Sequence, residues 1–374
     1  MNSLRIGLVG LPNVGKSTLF NALTNASVLA ANYPFATIEP NTGIVPVPDE
    51  RLEILARLYR TDKVIPATVE FVDVAGLVEG ASKGEGLGNK FLANIRECHA
   101  ICHVVRAFDS DKVQRADGKN YTGNVVEFAK NDIEIINTEL ALADIATIEN
   151  HLPKVLKEIK TDVKIRDIAD YLTFIQNELM AGRTPKEWDT EKLHGLDLLT
   201  AKPVIYLFNV DENGLTNKKL QSELREIVYA ESEFAAARLA ENIVFICAEL
   251  ESQLRTLSTI EAQELLTDYG VNESGLVLLA HAAYNVLGLQ SFLTAGEKEV
   301  RAWTIRRGAT APQAAGVIHT DFERGFIAAQ VVDYHDLVAA GSEFEARKLG
   351  KIRTEGKTYV MQPDDIVEFR FNVT

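Results

Sequence analysis

Two periods of hydrophobic patterning alternate along this chain and divide it. Short, mainly apolar runs, Arg5-Ile6-Gly7-Leu8-Val9, Val69 to Val74, Ala100 to Val105, Pro203 to Phe208 and Ile243 to Ile246, have the length of buried strands. Behind the first of them, Thr18-Leu19-Phe20-Asn21-Ala22-Leu23 takes helical spacing. From about Asn124 to Leu199 the helical period takes over. Ile145, Ile148, Leu152, Val155 and Ile159 recur at 3-4-3-4 spacing, and Ile165, Ile168, Leu172, Ile175 and Leu179 repeat it. Two such stripes predict antiparallel helices packed as a coiled-coil hairpin, with Pro153 placed to kink the first. Beyond Leu289 the pattern turns to strands at 301–305, 357–361 and 366–371, with a short helix over 311–318 opened by Pro312. The predicted fold class is therefore α/β with a P-loop sheet, an inserted helical hairpin and a C-terminal α+β domain of the β-grasp kind. The corresponding boundaries are 1–123 with 200–288, 124–199, and 289–372.

The turn after the first strand carries the chemistry. Gly10-Leu11-Pro12-Asn13-Val14-Gly15-Lys16-Ser17 matches G-x-x-x-x-G-K-[ST] in full, in the strand–loop–helix setting that motif needs. Its glycines let backbone N–H groups turn onto phosphate oxygens, Lys16 reaches the β and γ phosphates, and the Ser17 hydroxyl binds Mg²⁺. Downstream, the Pro-bounded segment Asn32 to Asn41 offers Thr37 as a second metal ligand. Val69 to Gly76 ends in Asp-x-x-Gly, which places Asp73 in the metal's water shell and the Gly76 N–H on the γ-phosphate. Leu77 stands where Ras-like GTPases carry the glutamine that orients water, and a leucine cannot do so. The glycine-rich stretch from Gly80 to Gly88 has the composition of a second switch, or of an inert surface loop.

A base-binding position follows the Pro203 to Phe208 strand. GTPases place Asn-Lys-x-Asp there, whose aspartate accepts from guanine N1–H and the 2-amino group. Here the tetrapeptide is Asn209-Val210-Asp211-Glu212, and no Asn-x-x-Asp occurs in the sequence. Asn-x-x-Glu also starts at Asn94, Asn124 and Asn131, so only its place after a core strand singles out Asn209. A carboxylate one methylene longer puts guanine selectivity in doubt. Cys247-Ala248-Glu249, after the Ile243 to Ile246 strand, is placed like the loop that packs against the base.

Composition narrows the rest. The 374 residues are 46% hydrophobic and 25% charged, the balance of an ordinary globular protein with room for several cores. A net charge of −14 argues against a nonspecific nucleic-acid binder, and no specific DNA binding is expected. Apolar runs stop short of a membrane span and nothing resembles a signal peptide, so a cytoplasmic location is expected. The three cysteines, Cys98, Cys102 and Cys247, suggest no disulfide framework. Cys98-His99 and Cys102-His103 raise a zinc site as an alternative to core packing, which a strand over 100–105 would favour.

Together these residues resemble the Obg-like ATPase (YchF) family of P-loop proteins. The resemblance rests on Gly10 to Thr18, Pro34 to Asn41, Asp73 to Leu77, Gly84 to Asn89 and the helix start Thr138 to Asp144, and it spans nearly the whole chain. The closing segment looks like a TGS domain. What the resemblance implies is Mg²⁺-dependent hydrolysis of ATP, often in preference to GTP, and ribosome binding. It carries nucleotide contacts onto Asn13, Val14, Gly15, Lys16, Ser17 and Thr18 and onto Asn209, Val210 and Glu212. Metal ligands fall on Ser17 and Thr37, and Leu77 matches the family's hydrophobic replacement of the catalytic glutamine. Some relatives carry a histidine in the loop after Phe108; Arg115 stands there instead, so no histidine base is assigned. Related P-loop proteins with an asparagine at the position of Asn13 coordinate potassium, which makes K⁺ a further candidate. Two outputs stay open: an ATPase whose turnover is the product, or a nucleotide-gated binding module reset by slow hydrolysis.

Overall fold

In this computed structural model the described residues are 4–29, 41–74, 87–114, 120–158, 164–185, 187–193, 195–231 and 241–372. The expectations for Thr37, Gly76, Leu77, Arg115, Ile159 and the 80–86 stretch lie outside them. The first part of the chain runs β1 (Arg5–Val9), α1 (Lys16–Leu29), β2 (Thr42–Pro46), α2 (Glu50–Tyr59), β3 (Val64–Ile65), β4 (Thr68–Asp73), α3 (Leu87–Arg96) and β5 (Ala100–Arg106). A small hairpin, β6 (Ser110–Gln114) with β7 (Asn120–Tyr121), follows. Next come the long helices α4 (Val125–Glu158) and α5 (Lys164–Met180), before the sheet resumes with β8 (Val204–Asn209), α6 (Lys218–Glu231) and β9 (Ile243–Ile246).

These strands form a sheet in the order β2-β4-β1-β5-β8-β9, parallel except for β2, which runs against β4. Every residue of β5 and β9 is buried, as expected of parallel strands covered on both faces. The chain leaves β1 toward β4 on one side and β5 on the other. The crevice beyond the carboxyl ends of β1 and β5 is thus the topological switch point, where open α/β sheets bind ligands.

The inserted helices pack along the predicted stripes. Ile148, Val155, Leu172, Ile175 and Leu179 are buried in one cluster, with Ile145, Leu152, Ile165 and Ile168 packed against it. Gln176 Nε2 donates to Glu149 Oε1 across the pair at 3.4 Å. Pro153 does not end α4, which continues to Glu158. The helical expectation fails over 181–199, where turns replace helix. Leu193 and Leu198, with Trp188 and Leu196, fold back onto the hairpin seam. Asp144, fully buried in α4, holds this return by accepting from Leu199 N, Thr200 N and Thr200 Oγ1 at 2.7 to 2.9 Å.

After β9, helices α7 (Ala248–Leu254), α8 (Thr259–Asp268) and α9 (Gly275–Val286) lead into β10 (Leu289–Ala295) and β11 (Val300–Arg306). Then α10 (Ala311–Ile318), α11 (Thr320–Arg324), β12 (Phe326–Asp333), α12 (Tyr334–Ala340), α13 (Glu343–Lys348), β13 (Arg353–Glu355) and β14 (Asp365–Phe371) complete the chain. Their sheet has the order β13-β12-β14-β10-β11-β3, so β3 from the first part of the chain closes its edge. The strand expected at 357–361 is reduced to a single bridge between Val360 and Thr310. Tyr359 N turns back onto Gly356 O, and the segment's remaining backbone bonds go to residues 309 and 311 at the start of α10. Arg51 ties α2 to this sheet through Asp364 Oδ1 and Pro363 O, and one apolar cluster runs from Ile6 and Leu8 through Leu55 and Leu279 to Leu293 and Ile366. Among the described residues no helix is long and apolar enough to cross a membrane.

Candidate nucleotide site

Residues 10–15 leave β1 in a tight turn whose backbone demands its sequence. Gly15 sits at φ +99°, where side chains are strained, and a Cβ there would collide with the Asn209 carboxamide. A Cβ at Gly10 would strike the Val104 carbonyl. Asn13 takes φ +65°, a left-handed conformation asparagine tolerates better than most residues. Two left-handed residues flanking Val14 turn the loop's amide groups into a concavity suited to anions.

Lys16 opens α1 and is 9% exposed. Its Nζ donates to the carbonyl oxygens of Gly10 and Leu11, spanning the loop. Burial lowers its pKa to about 8, opposed by the charge of Asp73. Asp73, at the end of β4, is raised by burial and lowered by Lys16. The same dehydrated crevice thus disfavours both charges, and a polyphosphate with its cation would reverse both shifts. Ser17 and Thr18 are exposed on the first turn of α1.

These residues fit Mg²⁺. Among the described residues no three His, Cys, Asp or Glu gather into a cage, and the donors described here are the Ser17 hydroxyl and the Asp73 carboxylate. Mg²⁺ accepts such a sparse set, because it keeps water and takes phosphate oxygens as further ligands. Cys98 and Cys102 are both buried, and Cys98 Sγ donates to Asn94 O at 3.3 Å.

Asn209 joins the phosphate loop to the base loop. Its Nδ2 donates to Val14 O at 3.0 Å, and its Oδ1 accepts from Ala248 N at 3.1 Å. Val210 and Cys247 bury their side chains in apolar clusters. Val210 N is itself bonded to Ile246 O. Asp211 is committed locally: its Oδ1 accepts from Gly214 N at 2.8 Å. Glu212 begins the next turn, half-buried, and after burial itself its charge is the leading cause raising the Cys247 thiol. The structure therefore brings Asn13 to Thr18, Asp73, Asn209 and Ala248 to one end of the sheet, with Glu212 beside Cys247.

One residue of this crevice was not singled out from the sequence. Arg106 ends β5, is 5% exposed, and donates from Nη1 to Asn13 O at 3.3 Å. The signal was an arginine closing a strand buried along its whole length, two residues before Phe108.

Comparison with known proteins agrees with this geometry. A family model described as a 50S ribosome-binding GTPase matches residues 5–136, and a YchF GTPase C-terminal model, described as a protein of unknown function, matches residues 289–372. The chain is 49% identical to the ribosome-binding ATPase YchF of Pasteurella multocida, over 99% of both chains. It is 47% identical to the protein of that name from Bacillus subtilis, over 99% of this chain and 100% of that one. The chain belongs to the YchF family. A solved YchF GTPase from Schizosaccharomyces pombe superposes with a TM-score of 0.84 at 36% identity, covering 99% of this chain and 98% of that one. The likeness to YchF thus extends through the P-loop sheet, the helical insertion and the C-terminal sheet alike.

Proposed function

We propose that this protein is a Mg²⁺-dependent switch that binds and hydrolyses ATP, at least as readily as GTP, and docks on ribosomes. The observation that carries the nucleotide preference is the fate of the acidic residues after β8. Asp211 is spent on Gly214 N, and the carboxylate left at the base position is the longer Glu212. A site built for guanine rejects adenine because its buried aspartate would go unpaired, and that penalty is lifted here. The relatives' names, ribosome-binding ATPase YchF, support both halves of the reading.

In the reading's mechanism the 10–15 amides and Lys16 hold the β and γ phosphates. Ser17 and Thr37 would be the direct ligands of Mg²⁺, which would neutralise charge developing on the phosphoryl oxygens, and Asp73 would act through its water shell. The Gly76 N–H would meet the γ-phosphate, while a leucine at position 77 can supply no hydrogen bond to the attacking water. Intrinsic hydrolysis is accordingly slow and awaits a partner or ion. Asn13 is the candidate ligand for K⁺ in that role, which equal rates in potassium and sodium buffers would remove. The modules divide at 1–123 with 200–288, 124–199 and 289–372, the last a TGS-type β-grasp domain, and the protein works in the cytoplasm. Phosphate release from ATP, measured with and without ribosomes, tests the reading. Stimulation by ribosomes supports the switch; a rate unchanged by ribosomes and by Lys16→Ala contradicts it.

A further inference from the structure

Two consecutive carbonyl groups at the crest of the phosphate loop are held from behind by two side chains on adjacent strands. Asn209 ends β8 and donates to Val14 O; Arg106 ends β5 and donates to Asn13 O. The two residues are register partners, Arg106 opposite Asn209, and Ala107 N is bonded to Asn209 O at 2.8 Å. They therefore form one clamp with a fixed spacing. The guanidinium of Arg106 lies over the Phe108 ring, 3.7 Å from its centroid, a contact that helps hold it in place.

We propose that Arg106 is a positioning residue for nucleotide binding: it clamps the Asn13 carbonyl so that the loop's amides stay turned toward the phosphates. The argument rests on the nucleotide-binding reading above, though not on which base is preferred. A peptide group is rigid, so fixing the Asn13 carbonyl toward the sheet fixes the Val14 N–H on the opposite side of that peptide. Fixing Val14 O does the same for Gly15 N–H. These are the amides of a concavity that in any P-loop faces the phosphates. Asn13 and Gly15 are the two left-handed residues of the turn, and such conformations persist only where surrounding contacts hold them. A cationic donor suits this place better than a neutral one. Hydrogen bonds from charged groups are stronger, and a nearly buried guanidinium adds positive potential beside the bound polyphosphate. The position equivalent to the lysine of Asn-Lys-x-Asp is Val210, whose side chain is buried in the core, and Arg106 from β5 adds a cation to Lys16 at this end of the sheet.

The test is a titration of the full chain with MgATP and MgGTP, comparing the parental protein with Arg106→Met and Arg106→Lys. Arg106→Met keeps most of the apolar stem and removes the donor and charge. It is expected to weaken every nucleotide the parental protein binds by about tenfold or more, with the ATP-to-GTP ratio unchanged and the melting temperature of the nucleotide-free protein little altered. Arg106→Lys, which keeps the charge and an N–H donor on a shorter stem, is expected to recover part of the loss. Should Arg106→Met fail to fold, Phe108→Leu is read in its place, because unseating the guanidinium without removing it should still weaken binding measurably. Binding within twofold of parental by the readable variant, or no recovery with lysine, overturns the clamp. A parental preference for GTP sinks the adenine reading alone, and a parental protein that binds neither nucleotide sinks both.

Discussion

Replacing Asn209 by alanine removes a carboxamide that ties the phosphate loop to the base loop. Asn209 is 5% exposed, and both of its partners are backbone groups in buried surroundings, Val14 O at 3.0 Å and Ala248 N at 3.1 Å. Each buried group left unpaired costs about 1–3 kcal/mol, so the pair amounts to roughly 2–6 kcal/mol. Part of this appears as lost stability. The remainder appears as lost nucleotide affinity, since the crest must be re-ordered on binding, and a share of only about 1.4 kcal/mol is tenfold in Kd. Asn209→Asp separates the two bonds, keeping the acceptor for Ala248 N while setting an oxygen against the Val14 carbonyl. It should unfold later in urea than Asn209→Ala but bind MgATP more weakly, because its negative charge stands beside the phosphates. Urea unfolding and fluorescent-nucleotide titration read the two effects. If Asn209→Ala matched the parental protein in both stability and affinity within about threefold, the carboxamide would not be what holds the loops together.

Glu251 in α7 is 3% exposed and accepts from Gly275 N at 2.6 Å, joining the helix after the base loop to the start of α9. Burial pushes its carboxyl up to about 7, against the hydrogen bonds from Gly275, Leu276 and Ser274. The native state therefore holds a proton that the unfolded chain releases near 4.5, so Glu251's stabilising contribution is complete below that value and is lost as pH rises toward 7. Relative to Glu251→Gln, the parental protein should lose on the order of 3 kcal/mol between pH 4.5 and 8; a difference in unfolding free energy that does not change with pH would count against it. In the hairpin, Leu172 is fully buried in the seam, and Leu172→Asp should cost about 3–5 kcal/mol of local stability and open 125–180 to proteolysis, with MgATP affinity retained. An unchanged cleavage pattern would mean that the seam does not hold the two helices.

The sheet and its phosphate loop were legible because their signals are local. Arg5 to Val9 and Ile243 to Ile246 became strands with those bounds, since a run buried on both faces needs no partner to be recognised. The hairpin seam was legible for the same reason, its 3-4 spacing being a property of single helices. What failed depended on contacts distant in sequence. Lys357 to Met361 alternates like a strand, yet it pairs with the cap of α10 at one residue and turns at Gly356. The two-residue β3 carries no pattern of its own and exists because β11 lies beside it. Within the site, the motif identified the phosphate-binding residues, while Arg106 emerged only when the register placed it opposite Asn209 and beneath Asn13. Glu251 was hidden likewise: a carboxylate in an amphipathic helix gives no sign that its partner is the amide of Gly275.

The central claim, that the base position admits adenine, is tested most directly by titrating the parental protein with MgATP and MgGTP under identical conditions and comparing the two dissociation constants. With Glu212 in the aspartate's place and Asp211 bonded to Gly214 N, ATP should bind at least as tightly as GTP. A preference for GTP of more than about tenfold, roughly 1.4 kcal/mol, would contradict the account and make the protein a GTPase.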